Sequence, residues 1–335
     1  MSNLDSEPQE LLCPSSPGAV EVLEPRMVPL GGPRAMTVRR TLPQRQRSLI
    51  GAWCFVDHYG PDDVSATGGM AVPPHPHTGL QTVSWLFTGE VEHTDSAGYH
   101  AMVRPGELNL MTAGRGISHS EYSTPGTTVL HGAQLWVALP EHARFMEPTF
   151  EHFRPVPVQL PGVTLSVFLG SLAGGTSPVV THTPLLGAEL RLDAGATVSL
   201  DVDPAFEHGF LVDSGTLSVD GNALAQGELG YTGPGRGSLT LVAGQAPMRL
   251  LLIGGTPLGE SIVMWWNFVG RSHEEVVAFR AAWQAEIAAF GTTPDGMGGV
   301  PGGDRQFGLP ANQVDPPLPA PGLPTVNLRP RSNPS

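Results

Sequence analysis

The chain has 335 residues, a formal net charge of −13 and 18 basic residues, all of them arginine. This acidic balance argues against a broad nucleic-acid-binding surface, and no apolar run reaches the roughly 20 residues that a bilayer span needs. The first residues lack a signal-peptide pattern. We therefore expect a cytoplasmic protein with two domains and no direct contact with nucleic acid or membrane.

The chain begins with a polar leader, which we expect to be disordered over residues 1–18. A basic stretch follows between residues 34 and 47. Its arginines alternate with Val38 and Leu42, so a solvated strand face explains the stretch better than contact with nucleic acid. One of the two cysteines lies in the leader and the other, Cys54, in an apolar run. We expect no disulfide, and a small core residue at position 54.

Short apolar runs separated by Gly, Pro, Asp and Asn dominate the chain up to about residue 270, which predicts an all-β fold. Residues 82–94 form one expected hairpin, and residues 211–219 form another. Repeated short strands with such turns favour a β-sandwich or a barrel.

Two doublets of metal-capable residues lie in the first half, His75-Pro76-His77 and His119-Ser120-Glu121. Alternate side chains of a strand point to one side, about 6–7 Å apart at Cα, so both doublets can converge on one ion. Three imidazoles and a carboxylate suit a borderline or harder divalent metal and leave two positions of an octahedral ion open. A lone histidine is more often structural, but the second doublet and its Gly-rich approach favour a metal site.

An internal repeat divides the chain into two units. The triplet Gly-Glu-Leu at 106–108 recurs at 227–229, and Gly-Arg-Gly at 114–116 recurs at 235–237. Both recurrences share an offset of 121 residues (227 − 106). The repeat predicts a duplicated jelly-roll unit, and the glycine triplet is interpreted as turn geometry, since it lacks the spacing and lysine of a phosphate loop.

In the same alignment, none of the candidate metal ligands is retained at the matching positions of the second unit. Upstream, matching Gly89 with Gly215 gives an offset of 126 (215 − 89). The replacements are Thr240 for His119, Val242 for Glu121, Asp201 for His75 and Asp203 for His77. We interpret the two aspartates as solvated loop residues and His208 as a lone structural histidine, so metal chemistry is expected in the first unit alone.

The pattern becomes helical after the second unit. Ser272 and Glu275 make a capping box, and an apolar stripe follows at helical spacing: Val276, Phe279, Trp283, Ile287 and Phe290. We expect an amphipathic helix over residues 271–291 that packs on a domain. The rest of the chain, residues 292–335, is rich in Gly and Pro and is expected to be disordered.

These features predict an all-β protein made of two jelly-roll domains plus a C-terminal α-helix. The first domain, with the metal site, is expected over residues 19–170. The second, without a metal site, is expected over residues 171–270.

The doublets and their neighbours resemble the signature of the pirins, a bicupin family in which each cupin is a jelly-roll barrel. The resemblance rests on residues 75–83, 105–107 and 111–121 and extends from about residue 20 to about residue 290. It implies that four side chains hold one divalent transition metal, iron(II) first, with Mn, Ni, Co, Cu or Zn as alternatives. These ligands are His75, His77, His119 and Glu121.

One departure from the family pattern bears on the substrate. Thr78 and Gln81 stand where many pirins have Arg and Glu. This difference affects the charge expected in the pocket and its substrate preference, while the four ligands are retained.

Several pirins resemble quercetin 2,3-dioxygenases, which open a flavonol with O₂ and release carbon monoxide. The resemblance therefore implies a dioxygenase that acts on a small chelating aromatic substrate such as a flavonol or a related aromatic enol. Glu121 is the candidate catalytic proton acceptor as well as a ligand, two roles that compete. Phe55, Trp85 and Met111 are candidate pocket walls or simply barrel core.

A rival hypothesis belongs to another functional class. The family resemblance equally suggests a non-catalytic, iron-dependent redox sensor that binds a regulatory protein partner. A third hypothesis is a cupin whose metal is purely structural. It fits the four-ligand set less well, because two coordination positions of the metal stay free. We expect a monomer in each case.

Overall fold

The structure is a computed structural model that describes residues 20–29, 36–289 and 305–333. Within these ranges it contains 26 strands and one helix. The predicted all-β fold with a C-terminal helix is confirmed, while the leader 1–18 lies outside the described residues.

The strands fall into two successive sets. The first set is β1 (Glu21–Leu23), β2 (Arg26–Pro29), β3 (Thr37–Leu42), β4 (Trp53–Asp63), β5 (Ala71–His77), β6 (Leu80–Thr88), β7 (Val91–Asp95), β8 (His100–Val103), β9 (Leu108–Thr112), β10 (Ile117–Ser123), β11 (Val129–Ala138) and β12 (Thr149–Phe153). The second set is β13 (Val158–Leu160), β14 (Val163–Leu169), β15 (Ser171–Leu172), β16 (Gly175–Thr176), β17 (Leu185–Leu192), β18 (Thr197–Asp201), β19 (Glu207–Ser214), β20 (Leu217–Val219), β21 (Asn222–Leu224), β22 (Leu229–Thr232), β23 (Ser238–Ala243) and β24 (Met248–Gly255). A hairpin, β25 (Val263–Trp265) and β26 (Phe268–Gly270), and helix α1 (His273–Ala288) follow.

Each half of the chain builds one seven-stranded and one four-stranded antiparallel sheet. The orders in the first barrel are β12-β9-β6-β11-β4-β3-β2 and β5-β10-β7-β8. In the second barrel they are β1-β22-β19-β24-β17-β14-β13 and β18-β23-β20-β21. The matching strand numbers confirm the prediction of two cupin domains.

The pairing of strands into sheets places the domain boundary earlier in the chain than predicted. Strands β13 and β14 belong to the large sheet of the second barrel, so the boundary lies between Phe153 and Val158 rather than at residue 170. Strand β1 also joins that sheet, where Leu23 pairs with Leu229. Local sequence patterns cannot reveal such crossings, because pairing partners are chosen by tertiary contacts.

The register between the barrels corrects one part of the repeat alignment. Ile117 pairs with His77, and Ser238, its counterpart at the offset of 121, pairs with Asp201. His77 therefore corresponds to Asp201, an offset of 124 (201 − 77) instead of 126. The reason is that the connection from β18 to β19 is longer than the one from β5 to β6. By the same register His75 corresponds to Ser199, so neither counterpart is a histidine.

The two large sheets share a hydrophobic core that joins the barrels. Trp53 of the first barrel donates from Nε1 to the backbone carbonyls of Leu186 (3.2 Å) and Gly254 (3.1 Å) in the second. Trp85 stacks on Phe168 with ring centroids 4.5 Å apart. Trp85, a candidate pocket wall in the sequence, is thus part of the core between the barrels.

A buried ion cluster crosses the same interface. Oδ1 of Asp213 accepts hydrogen bonds from Nε2 of His58 (2.7 Å) and His131 (2.5 Å) in the first barrel, and Oδ2 accepts one from Nε of Arg249 (2.7 Å). Nδ1 of His58 accepts from Nε of Arg39 (3.2 Å), which matches a neutral imidazole. Burial alone would raise the pKa of Asp213, but the hydrogen bonds and the arginine charge hold it well below its ordinary value.

Helix α1 begins with the predicted cap, since Oγ of Ser272 accepts from the amide of Glu275 at 3.2 Å. The second half of the predicted capping box differs: the Glu275 carboxylate accepts from the amide of Arg271 (2.7 Å) and pairs with Arg144 (2.9 Å). The buried positions include Val276, Phe279 and Trp283 of the predicted stripe, whereas Phe290 and Gly291 lie outside the described residues.

Much of the predicted disordered tail is packed on the protein. Phe307 and Leu309 are buried in a cluster with Trp283 of the helix, and Nε1 of Trp283 donates to the carbonyl of Leu318 at 2.9 Å. The prediction of disorder is therefore wrong for residues 305–333. The remaining parts of that prediction, residues 292–304 and 334–335, lie outside the described residues.

The tail is held without adding a strand to the sheets of either barrel. The Glu286 carboxylate, buried on the helix, accepts hydrogen bonds from the amides of Gln306 (2.8 Å), Phe307 (3.1 Å) and Gly308 (3.0 Å). Composition misled the prediction because side chains and isolated backbone groups of the protein body, such as the carbonyl of Pro74 that accepts from the amide of Leu318, satisfy this Pro-rich backbone in place of a regular strand or helix.

Cys54 is fully buried, and burial raises the pKa of its thiol to about 12, as expected for an inert core residue.

In the described part of the chain, α1 is too short and too polar to serve as a membrane-spanning segment.

The Asp213 cluster predicts a pH-dependent contribution to stability. Replacing Asp213 with Asn should lower the free energy of unfolding at pH 7 by about 3 to 5 kcal/mol, because a buried charge pair is broken. A depressed carboxyl pKa stabilises the folded state above the unfolded pKa of about 3.9, and this contribution is lost as pH falls further. Urea unfolding at pH 7 and at pH 3 measures the difference, which should shrink at pH 3.

The exposed Asp193 provides the matched control, since Asp193→Asn removes the same charge at the surface. It should change stability by less than about 0.5 kcal/mol. Equal effects of the two substitutions at pH 7 would contradict the role assigned to the cluster.

The Glu286 carboxylate predicts how firmly the tail is held. Glu286→Ala removes the acceptor of three amides, so the amides of Phe307 and Gly308 should exchange hydrogen at least about tenfold faster. Hydrogen exchange read by mass spectrometry tests this, with Glu274→Ala, an exposed residue of the same helix, as the control. Unchanged exchange in Glu286→Ala would show that other contacts hold the segment.

Candidate metal centre

The paired strands β5 and β10 bring the two histidine doublets together. His119 lies directly opposite His75 in the antiparallel ladder, and His77 lies opposite Ile117. Alternation places His75, His77 and His119 on one face of this sheet. All three are buried.

The three imidazoles form a compact group. Their ligand nitrogens all lie within 4.8 Å of one another, and Nε2 of His77 is 3.1 Å from Nε2 of His119. The ring centroids of His75 and His119 are 4.4 Å apart. This spacing is what three ligands of a single ion require.

The second nitrogen of each ring has its own partner. Nδ1 of His75 lies 2.9 Å from the carbonyl of Pro73, and Nδ1 of His77 lies 3.2 Å from the carbonyl of Asn267. Nδ1 of His119 lies 3.2 Å from Nδ1 of His93. The tautomers that satisfy these contacts carry the proton on Nδ1, so the lone pairs of the Nε2 atoms face one another. Adjacent lone pairs of this kind fit a bound cation.

Burial keeps the three rings neutral. Desolvation lowers the pKa of His75 to about 4 and holds the pKa values of His77 and His119 well below the ordinary histidine value. The neighbouring histidines add to this effect. Since a metal binds the unprotonated imidazole, the donor set fits a transition metal at neutral pH.

Glu121 stands apart from the other predicted ligands. Its carboxylate belongs to a second group, with His93 and His119, whose ligand atoms also lie within 4.8 Å of one another. The ladder has a bulge between His119 and Glu121, which shifts Glu121 along β5. Burial raises the pKa of this carboxyl group, and Oγ of Ser84 donates to Oε1 at 3.3 Å.

Sequence reasoning missed His93 and Asp95. They lie on β7, opposite Glu121 and His119 respectively, and Nε2 of His93 is 3.2 Å from Oδ2 of Asp95. The pair is thus a carboxylate–imidazole support behind His119. The signal was present, because His93 lies on the strand predicted to end at residue 94 and is spaced from Asp95 by two residues, like the members of each histidine doublet.

A third group of potential ligands, His58, His131 and Asp213, also meets the distance criterion. It differs from the first, because the Asp213 oxygens already accept hydrogen bonds from both rings and from Arg249. Arg39 adds a second positive charge nearby. This group is a complete ion cluster and does not suit a cation.

The imidazole group opens into a cavity of about 410 Å³. Phe55 and Trp136 form one wall, stacked with centroids 4.1 Å apart, and Trp136 meets His77 edge-on at 5.2 Å. The other lining residues come from the first barrel and its leading strands and from the segment after the second barrel: Arg26, Pro29, Arg40, Pro43, Asp57, Val72, His75, His119, Glu121, Gln134, Met264, Trp266, Asn267 and Leu318. Of the candidate walls, Phe55 lines the cavity, whereas Met111 is not among its lining residues and is buried in the same core cluster as Phe55.

The two positions that depart from the family pattern do not line this cavity. Thr78 and Gln81 are both buried, and Nε2 of Gln81 donates to Oγ1 of Thr112 at 2.8 Å. The basic stretch also differs from expectation. Arg40, half-buried, lines the cavity and pairs with Asp57 instead of forming a solvated face.

Comparison with known proteins agrees with this architecture. The Pirin family profile matches residues 35–137, and the profile of the Pirin C-terminal cupin domain matches residues 187–289. A Pseudomonas aeruginosa protein named "Putative quercetin 2,3-dioxygenase" is 47% identical over 267 residues, covering 79% of this chain and 84% of that protein. A "Pirin-like protein" of Caulobacter vibrioides is 33% identical over 259 residues, covering 74% of this chain and 88% of that protein.

A solved structure shares nearly the whole fold. The crystal structure of quercetin 2,3-dioxygenase from Acinetobacter baumannii matches with a TM-score of 0.83 and 37% identity, covering 93% of this chain and 97% of that one. Sequence, fold and both domain profiles agree, and the chain belongs to the pirin family.

Proposed function

We propose that this chain is a metal-dependent dioxygenase that opens a flavonol or a related aromatic enol with O₂. The observation that carries the proposal is the group of three buried, neutral imidazoles whose free Nε2 atoms converge beside an aromatic wall. The relatives named for quercetin 2,3-dioxygenase support the choice of reaction.

His75, His77 and His119 would hold the metal, with Glu121 as the proposed fourth ligand. Iron(II) is our first choice, and Mn, Ni, Co, Cu or Zn accept a similar ligand set. A bound divalent ion would supply Lewis acidity for a chelating enol oxygen, and the redox-active ions in this set would also exchange electrons with O₂. In the overall reaction both oxygen atoms enter the product, and the ring carbon between the two oxidised carbons leaves as carbon monoxide.

Glu121 is the proposed proton acceptor for the enol hydroxyl. Because burial raises its pKa, this carboxylate is a stronger base than an exposed one. The Ser84 hydroxyl donates to Oε1 and orients the group. Ligation by a metal would oppose this basicity, so the balance between the two roles sets the rate of proton transfer.

The stacked pair of Phe55 and Trp136 is the proposed platform for the substrate. A planar aromatic molecule gains contact area and favourable ring geometry on such a surface. Trp136 is already in edge contact with His77, so a molecule lying on the platform reaches the imidazole group. The same side chains keep water away from the reacting end.

Metal binding is the first test. Protein loaded under anaerobic conditions should bind one equivalent of divalent transition metal, and His119→Ala should lose stoichiometric binding. His93→Ala should weaken affinity by about 10- to 100-fold, because His93 supports His119 without contributing to the trio. Elemental analysis and metal titration measure both effects.

His100→Ala, on the exposed end of β8, is the matched histidine control and should bind metal like the wild type. Full metal binding by His119→Ala would contradict the proposed centre. Melting temperatures of the variants separate loss of a ligand from loss of the fold.

Catalysis is the second test. Metal-loaded protein should consume O₂ in the presence of quercetin and release carbon monoxide in equal amounts. Glu121→Gln should lower kcat by about 100-fold or more, the usual contribution of a positioned base. An oxygen electrode and carbon monoxide detection follow the reaction.

The absence of turnover across flavonols and catechols, with a full metal site, would overturn the dioxygenase proposal. It would favour the redox-sensor alternative. In that case reversible oxidation of the metal should change the affinity for a protein partner without forming a product.

A further inference from the structure

Five polar residues form one continuous row across the large sheet of the first barrel. They are cross-strand neighbours on five adjacent strands, since each pairs directly with the next. In order from β3 to β9 they are Arg40, Asp57, Gln134, Ser84 and Asn109. The row passes the metal centre at Ser84, whose Oγ lies 3.0 Å from Oε1 of Gln134 and 3.3 Å from Oε1 of Glu121, so that its single proton is shared between these two acceptors.

The second barrel shows that this row is not required by the fold. Ser84 and Asn109 correspond to Phe210 and Gly230 at the repeat offsets of 126 (210 − 84) and 121 (230 − 109), and those two residues are also paired. The row continues across the second sheet through the same kind of pairing. Its members are Gly230, Phe210, Leu252, Ala188 and Val167, all of them non-polar.

The far end of the polar row is an ion pair beside the cavity, between the half-buried Arg40 and the buried Asp57. Nε of Arg40 donates to Oδ1 of Asp57 and Nη2 donates to Oδ2, both at 2.7 Å. Asp57 is 1% exposed and lines the cavity. A carboxylate has about four acceptor positions, and Arg40 uses two of them, so Asp57 can accept further hydrogen bonds from a molecule in the cavity.

The aromatic platform connects this ion pair with the metal centre. Phe55 precedes Asp57 by two residues on β4 and therefore faces the same side, and the Arg40 guanidinium lies 4.3 Å from the Phe55 ring centroid. Asp57 is two strands away from Ser84, or about 10 Å at the usual strand spacing. A molecule of three linked aromatic rings spans such a distance.

We propose that Asp57, held in place by Arg40, recognises a hydroxyl group on the end of the substrate that lies away from the metal. The inference rests on the proposed function for the metal end and adds the substrate class, an aromatic enol whose distant ring carries phenolic hydroxyls. An ionised carboxylate accepts strong hydrogen bonds from such donors. A site with a buried acceptor rejects analogues that lack the donor, because the acceptor is then desolvated without a partner.

The test compares two flavonols that differ only in the distant ring, quercetin with two hydroxyls there and galangin with none. Calorimetric titration of metal-loaded protein without O₂ measures binding in the absence of turnover. The wild type should prefer quercetin by about tenfold or more. In Asp57→Asn this preference should fall to about threefold or less, while the affinity for galangin changes little.

The double variant Arg40→Met with Asp57→Leu guards against a folding defect, since replacing both members of an ion pair with apolar residues is often tolerated. It should bind both flavonols with similar affinity. Asp201→Asn, a surface substitution outside the first barrel, should keep the wild-type preference.

The outcomes distinguish this inference from the proposed function. Equal affinities of the wild type for the two flavonols, or an unchanged preference in both Asp57 variants, would overturn the role of Asp57 even if quercetin is turned over. A preference that is lost in the variants would support it even if an aerobic assay shows no O₂ consumption. Failure of both flavonols to bind the wild type would overturn the recognition site.

Discussion

The large sheet of the first barrel is buried on both faces, and the rest of the molecule depends on this constraint. Residues 53–60 of β4 are all buried, although one face meets the second barrel and the other meets the cavity. A polar group left unpaired in such a place costs about 1–3 kcal/mol. His58 therefore pairs with Asp213 across the barrel interface, and Asp57 on the other face pairs with Arg40. The same sheet thus joins the domains and presents polar groups to the cavity.

The duplicated fold provides its own comparison. Both barrels use a seven-stranded and a four-stranded sheet, yet Asp57 corresponds to Ala188 and Gln134 to Leu252 in the paired rows. A barrel of this kind is well packed with an apolar row, because Ala188 and Leu252 belong to the core of the second barrel. Since apolar replacement of a buried ion pair is often neutral or stabilising, the polar row of the first barrel is better explained by a ligand than by folding.

The sequence predicted the features that depend on local periodicity. Strand alternation was enough to bring His75, His77 and His119 together, and the repeated glycine triplets were enough to find two similar barrels. What the sequence could not reveal depends on pairing between distant segments. Two features depend on such pairing. One is the bulge that separates Glu121 from the three histidines. The other is the two extra residues that change the offset between the upstream parts of the repeat.

Amino-acid composition was the least informative basis for predicting the structure of this chain. The segment over 305–333 has the Gly and Pro content of a disordered tail, but its order depends on Glu286 and Trp283 of a helix formed earlier in the chain. His93 could have been found by extending the alternation argument to β7, where it precedes Asp95 by two residues. Its contact with His119, however, requires β7 to pair with β10, and no local pattern specifies that choice.

After the second barrel, the chain returns to the first barrel. For this reason the second barrel affects the candidate site, although it has no histidine doublets. Hairpin β25–β26 follows the second barrel, and its turn places Trp266 and Asn267 at the cavity. The Asn267 carbonyl accepts from Nδ1 of His77, so a residue 190 positions later orients one imidazole of the trio. Trp266 has a φ of +52°, a left-handed conformation that costs about 1–2 kcal/mol for a side chain of this type.

Such strain persists only where the surrounding structure fixes the backbone. The amide of Val269 donates to the carbonyl of Thr78 at 3.0 Å, which ties the hairpin to the chain directly after His77. The second barrel fixes where this hairpin starts, because β24 packs in the interface with the first barrel through Leu251 and Ile253. An isolated first barrel would lack both the carbonyl that orients His77 and one wall of the cavity. The candidate metal centre therefore depends on the whole chain, although all of its candidate ligands lie in the first half.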